Sequence, residues 1–465
     1  MKKIALIIAT LLVIVACNTY RDLPQVPTSS DWKVKSLPSY DQQLDGNPEA
    51  GLDYLMYGDY IGSGVPYEFF KKKISGRPDT VLNRTGENAN IPYAFNVFTA
   101  PNGAKVVNGN CFTCHASSFN GKIHIGLGNS FSDYQKNLSP AAKMMNLGMQ
   151  FKYKKNAPEF VAFEDFGHYF KETAPHIQTN QPGANPAFRL AEACMMHRDP
   201  VDLTYRKKPN YEILDYPVAT DVPPLWNVGK KNTLYYTGIG RGDFTKLLFQ
   251  ASVLGIPDST AARKAINNFK DVYAWLRALE PPKYPGEIDQ KLAQKGEVLF
   301  NDNCSKCHGT YGEEETYPNK LVALDLIKTD TVYAQYVINS GIVNWYNNSW
   351  FANSSPKSWF DPGLGYVAPP LDGVWATAPY LHNGSVPTLD DLLNSKQRPT
   401  YWKRSGNSRD YDYNKVGWKY QTVEESGDDW TFDTTLPSYG NQGHYFGDKL
   451  STNERMAVIE YLKTL

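Results

Sequence analysis

Two copies of Cys-x-x-Cys-His stand in this chain, Cys111-Phe112-Thr113-Cys114-His115 and Cys304-Ser305-Lys306-Cys307-His308, 304 − 111 = 193 residues apart. Thiols three positions apart reach the two vinyl groups of one porphyrin, and the adjoining imidazole can then lie under the iron. The spacing predicts two covalently bound haem c groups, attached at Cys111 and Cys114 and at Cys304 and Cys307. A zinc site would need a second Cys/His pair close by, and a thioredoxin-type dithiol a βαβ pattern; neither accompanies these copies.

What the irons do depends on the sixth ligand. From Gly309 to Arg455 there is no methionine, so the His/Met ligation of electron carriers is not supplied locally to the second haem. His382 and His444 are the imidazoles in that stretch. His444 lies in the glycine-flanked run Gly440-Asn441-Gln442-Gly443-His444-Tyr445-Phe446-Gly447, where backbone can approach a porphyrin face closely, and is the favoured distal ligand. His382 is the rival, with a hydrogen-bonded histidine beside the pocket as its other reading. For the first haem the stretch offers Met144, Met145, Met149, Met195 and Met196 with His124, His168, His176 and His197, and leaves the choice open. An open sixth position binds dioxygen or peroxide; a closed one restricts the site to electron transfer.

The elements that must position these groups are also legible. Asp271-Val272-Tyr273-Ala274-Trp275-Leu276-Arg277-Ala278-Leu279 and Ala457-Val458-Ile459-Glu460-Tyr461-Leu462-Lys463-Thr464-Leu465 are alike in character and follow their motifs at similar distances, 279 − 115 = 164 and 465 − 308 = 157 residues. Each reads as a closing helix, the second with Met456, Ile459 and Leu462 as its apolar stripe and a capping box of Ser451 and Glu454 in front. A helix from Ile288 through Leu292 to Phe300 is its crossing partner. Three prolines in Glu280-Pro281-Pro282-Lys283-Tyr284-Pro285-Gly286 forbid helix and place a boundary. The expected architecture is mainly α: a cytochrome c-like domain over 41–280 for haem 1 and another over 286–465 for haem 2, with long loop-rich insertions and few short strands.

The chain's start reads as a lipoprotein signal peptide over 1–16. Lys2 and Lys3 precede an apolar run ending Ile14-Val15-Ala16-Cys17, which resembles a lipobox. Lipidation of Cys17 would anchor an extracytoplasmic bacterial protein, facing the periplasm or held at the outer membrane, through a flexible tether over 17–40. Asn18 after the cysteine gives no inner-membrane retention signal. Cysteine arithmetic then leaves Cys194 alone, a small buried hydrophobe without a disulfide partner. With 48 basic and 48 acidic residues the chain carries no net charge, which argues against nucleic acid as a partner.

Leu371-Asp372-Gly373-Val374-Trp375-Ala376-Thr377-Ala378-Pro379-Tyr380-Leu381-His382-Asn383-Gly384-Ser385-Val386-Pro387-Thr388-Leu389 resembles the segment after the second haem in bacterial di-haem cytochrome c peroxidases, and more closely that of the latex-cleaving rubber oxygenases. Asn185-Pro186-Ala187, His197-Arg198-Asp199-Pro200, Pro223-Pro224-Leu225-Trp226-Asn227-Val228 and Gly443-His444 are similar to the same group. The resemblance implies His115 and His308 as proximal ligands, a dioxygen-binding first haem with an open face, and a second haem ligated also by His444. Trp226 is a candidate between the haems, with a plain core tryptophan as the equal alternative.

Two weaker signals fail. Asp410-Tyr411-Asp412-Tyr413-Asn414 starts like a calcium loop, but Lys415 stands where glycine is required. Gly238-Ile239-Gly240-Arg241-Gly242 lacks dinucleotide spacing and reads as a turn-rich loop. Three functions remain. The first is a di-haem oxidoreductase using peroxide or dioxygen at the first haem, with the second relaying or storing electrons. The others are a tethered electron carrier without turnover and an oxygenase cleaving an apolar polymer. Redox partner and substrate do not follow from fold.

Overall fold

A computed structural model describes residues 30–74, 78–218, 220–427 and 430–465. The signal peptide and Cys17 lie outside the described residues. The fold is mixed and mainly helical, with fifteen α-helices among the described residues, most of them short, and fifteen strands of two to five residues in six small sheets. Strands are therefore short as expected but not few. The end of the expected tether is also structured. Val34–Ser36 pairs antiparallel with Lys320–Ala323, which in turn pairs with Gly365–Val367, and Leu37 beyond it is buried. β-branched Val34 and Val322 suit that pairing, so the flexible tether expected over 17–40 gives way to a strand before its end.

The closing helices are Ser259–Ala278 and Thr452–Leu462. Asp258 caps the first by accepting from the Thr260 and Ala261 amides, and the Ser451/Glu454 capping box is formed on the second. Thr452–Leu462 is buried on nearly all sides rather than along one stripe, because Arg455 and Glu460 are enclosed together with Ile459 and Leu462. Its crossing partner is Gln290–Asn303. Where they meet, a Cβ on Gly296 would overlap the Ala457 carbonyl, so only glycine permits this approach. The first half repeats the device with a helix that sequence reading missed. Pro48–Tyr57 crosses Ser259–Ala278 at Gly51, where a Cβ would overlap the Asp271 carbonyl.

A second internal repeat has an offset of 369 − 223 = 146 residues. Pro223-Pro224-Leu225 and Pro369-Pro370-Leu371 each open a loop with matching conformation: Tyr235 and Leu381 take φ of 69° and 68°, and Gly238 and Gly384 take 62° and 67°. Leu234 bridges Gly240 as Tyr380 bridges Val386. These loops meet across a local two-fold. The Asp221 amide donates to the His382 carbonyl at 2.8 Å, and the equivalent Val367 amide to the Tyr236 carbonyl at 2.7 Å. Gly240–Gly242, expected as a turn-rich loop, is instead a short strand paired with Ser358–Phe360, its partner lying more than a hundred residues away; Gly242 ends it at φ 83°, where a Cβ would overlap the Lys357 carbonyl.

The bend at Glu280–Gly286 is non-helical as the prolines require, but it does not divide the cores. One apolar cluster joins Leu55, Phe112, Phe269 and Trp275 to Tyr333, Tyr346, Phe351 and Tyr366. Another joins Phe119, Leu127 and Trp226 to Phe300, Trp375 and Ile459. Each is built from both halves of the sequence.

Candidate haem centres

At the second motif, Asp289 caps Gln290–Asn303 by accepting from the Lys291 and Leu292 amides, and that helix delivers Cys304. The short helix Ser305–His308 continues from it, the His308 amide bonding the Cys304 carbonyl at 3.1 Å. His308 Nδ1 donates to the Pro369 carbonyl at 2.8 Å. That bond fixes the tautomer and leaves Nε2 as the free electron pair, the usual way a second partner orients a metal-bound imidazole. Tyr311 locks the pair together by donating to the His308 carbonyl at 3.2 Å and accepting from the Leu371 amide at 2.6 Å.

Facing His308 is His444, with ring centroids 6.2 Å apart and planes at 61°. Metal–imidazole bonds of about 2 Å on either side of one ion, with about 1 Å from each nitrogen to its ring centre, span roughly 6 Å. The pair is spaced to share an iron. His444 adopts φ 51° after Gly443 at φ 85°, and its amide donates to the Ile327 carbonyl at 2.8 Å. A Cβ on Gly443 would overlap the Thr329 amide, so the loop lies as close as backbone allows. Arg398 clamps this loop. Its guanidinium donates to the carbonyls of Asn441 at 2.6 Å, Gly443 at 2.7 Å and Leu392 at 2.8 Å.

Burial, aided by His308 and the Arg398 charge, lowers the His444 pKa to about 3, and burial also lowers that of His308. Both stay neutral and able to bind metal. The buried His444 Nδ1 has no partner beyond its own backbone, as suits a ring held for another group. The chemistry of this donor set, two thiols and two facing neutral imidazoles, fits a haem c.

The first motif is held differently. Asn110 accepts from the Phe112 amide to start the turn Cys111–Thr113, and the His115 carbonyl accepts from the Gly126 amide at 2.8 Å. Cys114 Sγ, which would be a thioether when haem is attached, receives the Asn185 amide at 3.3 Å. Burial lowers the His115 pKa to about 4, opposed by the Pro223 carbonyl and assisted by Lys231. Pro223 thus stands to His115 as Pro369 stands to His308, although the His115 Nδ1 bond falls short of hydrogen-bond geometry.

Several sixth-ligand candidates of the first half have other neighbours. His168 and His197 both stack on Tyr205, at 4.9 and 6.1 Å, and His197 Nδ1 pairs with the Arg206 carbonyl. Met149 and Met195 are fully buried in two separate apolar clusters, and Met144 is exposed. His124 lies on the hairpin Ala116–Phe119/Lys122–Ile125 near Phe119.

His382, the rival, has its ring contacts with tyrosines and not with His308. It stacks on Tyr366 at 4.0 Å and meets Tyr236 at 6.3 Å on the seam between the halves, and its buried Nε2 has no partner. Trp226 also occupies the seam. Its Nε1 donates to the Asp372 carbonyl at 2.8 Å, and its ring lies against Gly126 on one side and Gly373 on the other. Gly126 bonds His115, and Asp372 follows the loop that holds His308, so one ring joins the supports of both motifs. Sequence reading missed Arg398 and the two proline carbonyls; the repeated Pro-Pro-Leu was the available signal for the latter.

These motifs and the helices that cross behind them have the construction of a c-type cytochrome. Residues 365–403 match the family described as RoxA-like, cytochrome c-like. That cytochrome c-like segment implies covalently bound haem c and a haem-based redox function, and relates the chain to RoxA-like di-haem cytochromes. The chain is also similar to two uncharacterized proteins of Sinorhizobium fredii. It is 33% identical to y4iJ over 40% of this chain and 41% of that protein, and 30% identical to y4iM over 46% and 52%. It thus spans about half the length of these relatives or less.

Proposed function

We propose that this protein is an extracytoplasmic di-haem c-type oxidoreductase in which the first haem activates peroxide or dioxygen and the second relays or stores electrons. The observation that carries the reading is the asymmetry of the two motifs. Two neutral imidazoles face one another across 6.2 Å at the second, whereas among the described residues no imidazole stands at ring-contact distance from His115. Haem bound there would supply a one-electron couple at the doubly ligated site and a face for a small oxidant at the singly ligated one. Cys111, Cys114, Cys304 and Cys307 tether the groups, and His115 and His308 bind from the proximal side. His444 closes the second site, and Arg398 keeps its loop from retreating. Trp226 packs the interval between the sites and keeps water from it. The reducing partner is a redox protein or an apolar substrate, and acylated Cys17 would hold the protein at a membrane.

Electron paramagnetic resonance of the resting ferric protein, combined with carbon monoxide titration after reduction, tests this. One high-spin centre that binds the gas and one low-spin centre that does not are expected. Two low-spin centres, both inert before and after partial reduction, would leave a tethered electron carrier.

A further inference from the structure

The helix Ser139–Lys152 presents its apolar residues the wrong way round for a soluble surface. It packs through Ala142 and Met149, and Asn146 donates across to the Gly167 carbonyl of the neighbouring helix Pro158–Thr173 at 3.1 Å. At about 100° per residue, Met144, Leu147 and Phe151 fall together on the opposite face. They are 69%, 47% and 89% exposed, and Phe151 is the most exposed large apolar side chain among the described residues. Val161, 49% exposed, lies on the neighbouring helix. Single exposed apolar residues are ordinary; three on one outward stripe mark a contact surface.

Charge says what the surface meets. Lys143 and Lys152 lie on either flank of the stripe by the same helical geometry, and Lys136, Lys154 and Lys155 lie just beyond the helix ends. No acidic residue occurs from Tyr134 to Pro158. The helix Tyr67–Lys73 abuts this face, Lys152 Nζ standing 5.3 Å from the Phe69 ring, and adds Lys71, Lys72 and Lys73; the nearby acids are Glu68 on that helix and Glu159 and Glu164 on Pro158–Thr173. In a chain with equal numbers of acids and bases this is a strong local excess. An apolar ridge on a convex helix, bordered on both sides by exposed lysines, complements the boundary between acyl chains and anionic headgroups.

We infer that Ser139–Lys152 is a peripheral docking surface for an anionic lipid bilayer, Met144, Leu147 and Phe151 entering the headgroup boundary while the flanking lysines meet acidic headgroups. It acts independently of any acyl chain on Cys17 and of the haem chemistry. It is an interfacial contact and not a span, since no helix among the described residues is long and apolar enough to cross a membrane.

Holoprotein carrying Cys17→Ala, so that no lipid can attach, is sedimented with vesicles of phosphatidylcholine alone or mixed with phosphatidylglycerol. Binding is expected with the mixed vesicles, weakening as salt is raised. Phe151→Ser should reduce it about tenfold, and Lys143→Gln and Lys152→Gln about fivefold each. Unchanged Soret spectra in these surface variants would establish that the haem sites are intact. The inference is overturned by absence of binding to the mixed vesicles, by equal binding to both vesicle types, or by binding that ignores the three substitutions. Concentration-dependent self-association in lipid-free buffer that Phe151→Ser abolishes would overturn it too, since the stripe would then be covered by a second copy.

Discussion

Gly443→Ala tests how the second site is built without touching a ligand. At this position a Cβ would fall inside 3.0 Å of the Thr329 amide nitrogen, and ordinary contact begins at 3.4 Å. The loop must therefore retreat by more than about 0.4 Å, twice the roughly 0.2 Å by which metal–ligand distances vary. Alanine at φ 85° adds a left-handed backbone cost of about 1–2 kcal/mol. Arg398, bonded to the Asn441 and Gly443 carbonyls, opposes the retreat and must give up part of its clamp. The expected outcome is a folded protein whose second haem becomes wholly or partly high-spin and gains carbon monoxide binding, like His444→Ala, while the first is unchanged. The assay is absorption and electron paramagnetic resonance on purified ferric protein, with the gas titrated after reduction. If Gly443→Ala folds and keeps the low-spin signal of the wild type, the backbone does not hold His444 at its limit. If His444→Ala also keeps that signal, His444 is not the ligand.

Other expectations follow from the same geometry. Gly51→Ala and Gly296→Ala each force crossing helices apart at a backbone contact and should cost about 1–3 kcal/mol or more, seen as a lower thermal midpoint. Equal midpoints would mean the helices adjust without loss. Trp226→Phe removes the N–H that reaches the Asp372 carbonyl, at a cost of about 1 kcal/mol. In stopped-flow experiments it should slow reduction of the first haem once the second is reduced, and an unchanged rate would remove Trp226 from the route. Burial raises the Asp330 pKa to about 6 against the Val332, Gly440 and Ser438 backbone. The unfolded value is about 3.9, so between the two the native state holds the extra proton and stability falls as pH rises from about 4 to about 6, by about 3 kcal/mol in all. Denaturant midpoints across that range should lose this slope in Asp330→Asn; a retained slope would assign it to another group.

The two motifs stand out in the sequence because covalent haem attachment imposes a local pattern, and Gly443-His444 because flanking glycine lets a histidine loop approach its neighbours closely. The closing helices were legible for the same local reason: Ser451 and Glu454 sit three apart in front of one. Pro48–Tyr57 was not, since 111 − 51 = 60 residues separate Gly51 from its motif, against 304 − 296 = 8 in the second half. Arg398 gave no signal either. A guanidinium that bonds only carbonyls depends on where the chain returns, and no spacing records that. The tether was misjudged at Val34–Ser36 because its strand partner lies almost three hundred residues away.

The two apolar clusters, each assembled from both ends of the polypeptide, bear on how this protein can be divided. Nicking the chain within Glu280–Gly286 leaves a leading fragment stripped of Tyr333, Tyr346 and Tyr366, and a trailing one stripped of Phe119, Leu127 and Trp226. Neither piece should attain a native core by itself. Mixed together they should recombine, since the reciprocal amide bonds of Asp221 and Val367 supply complementary edges. Enclosure of the residues around both motifs would then be a property of the reassembled pair and not of either fragment.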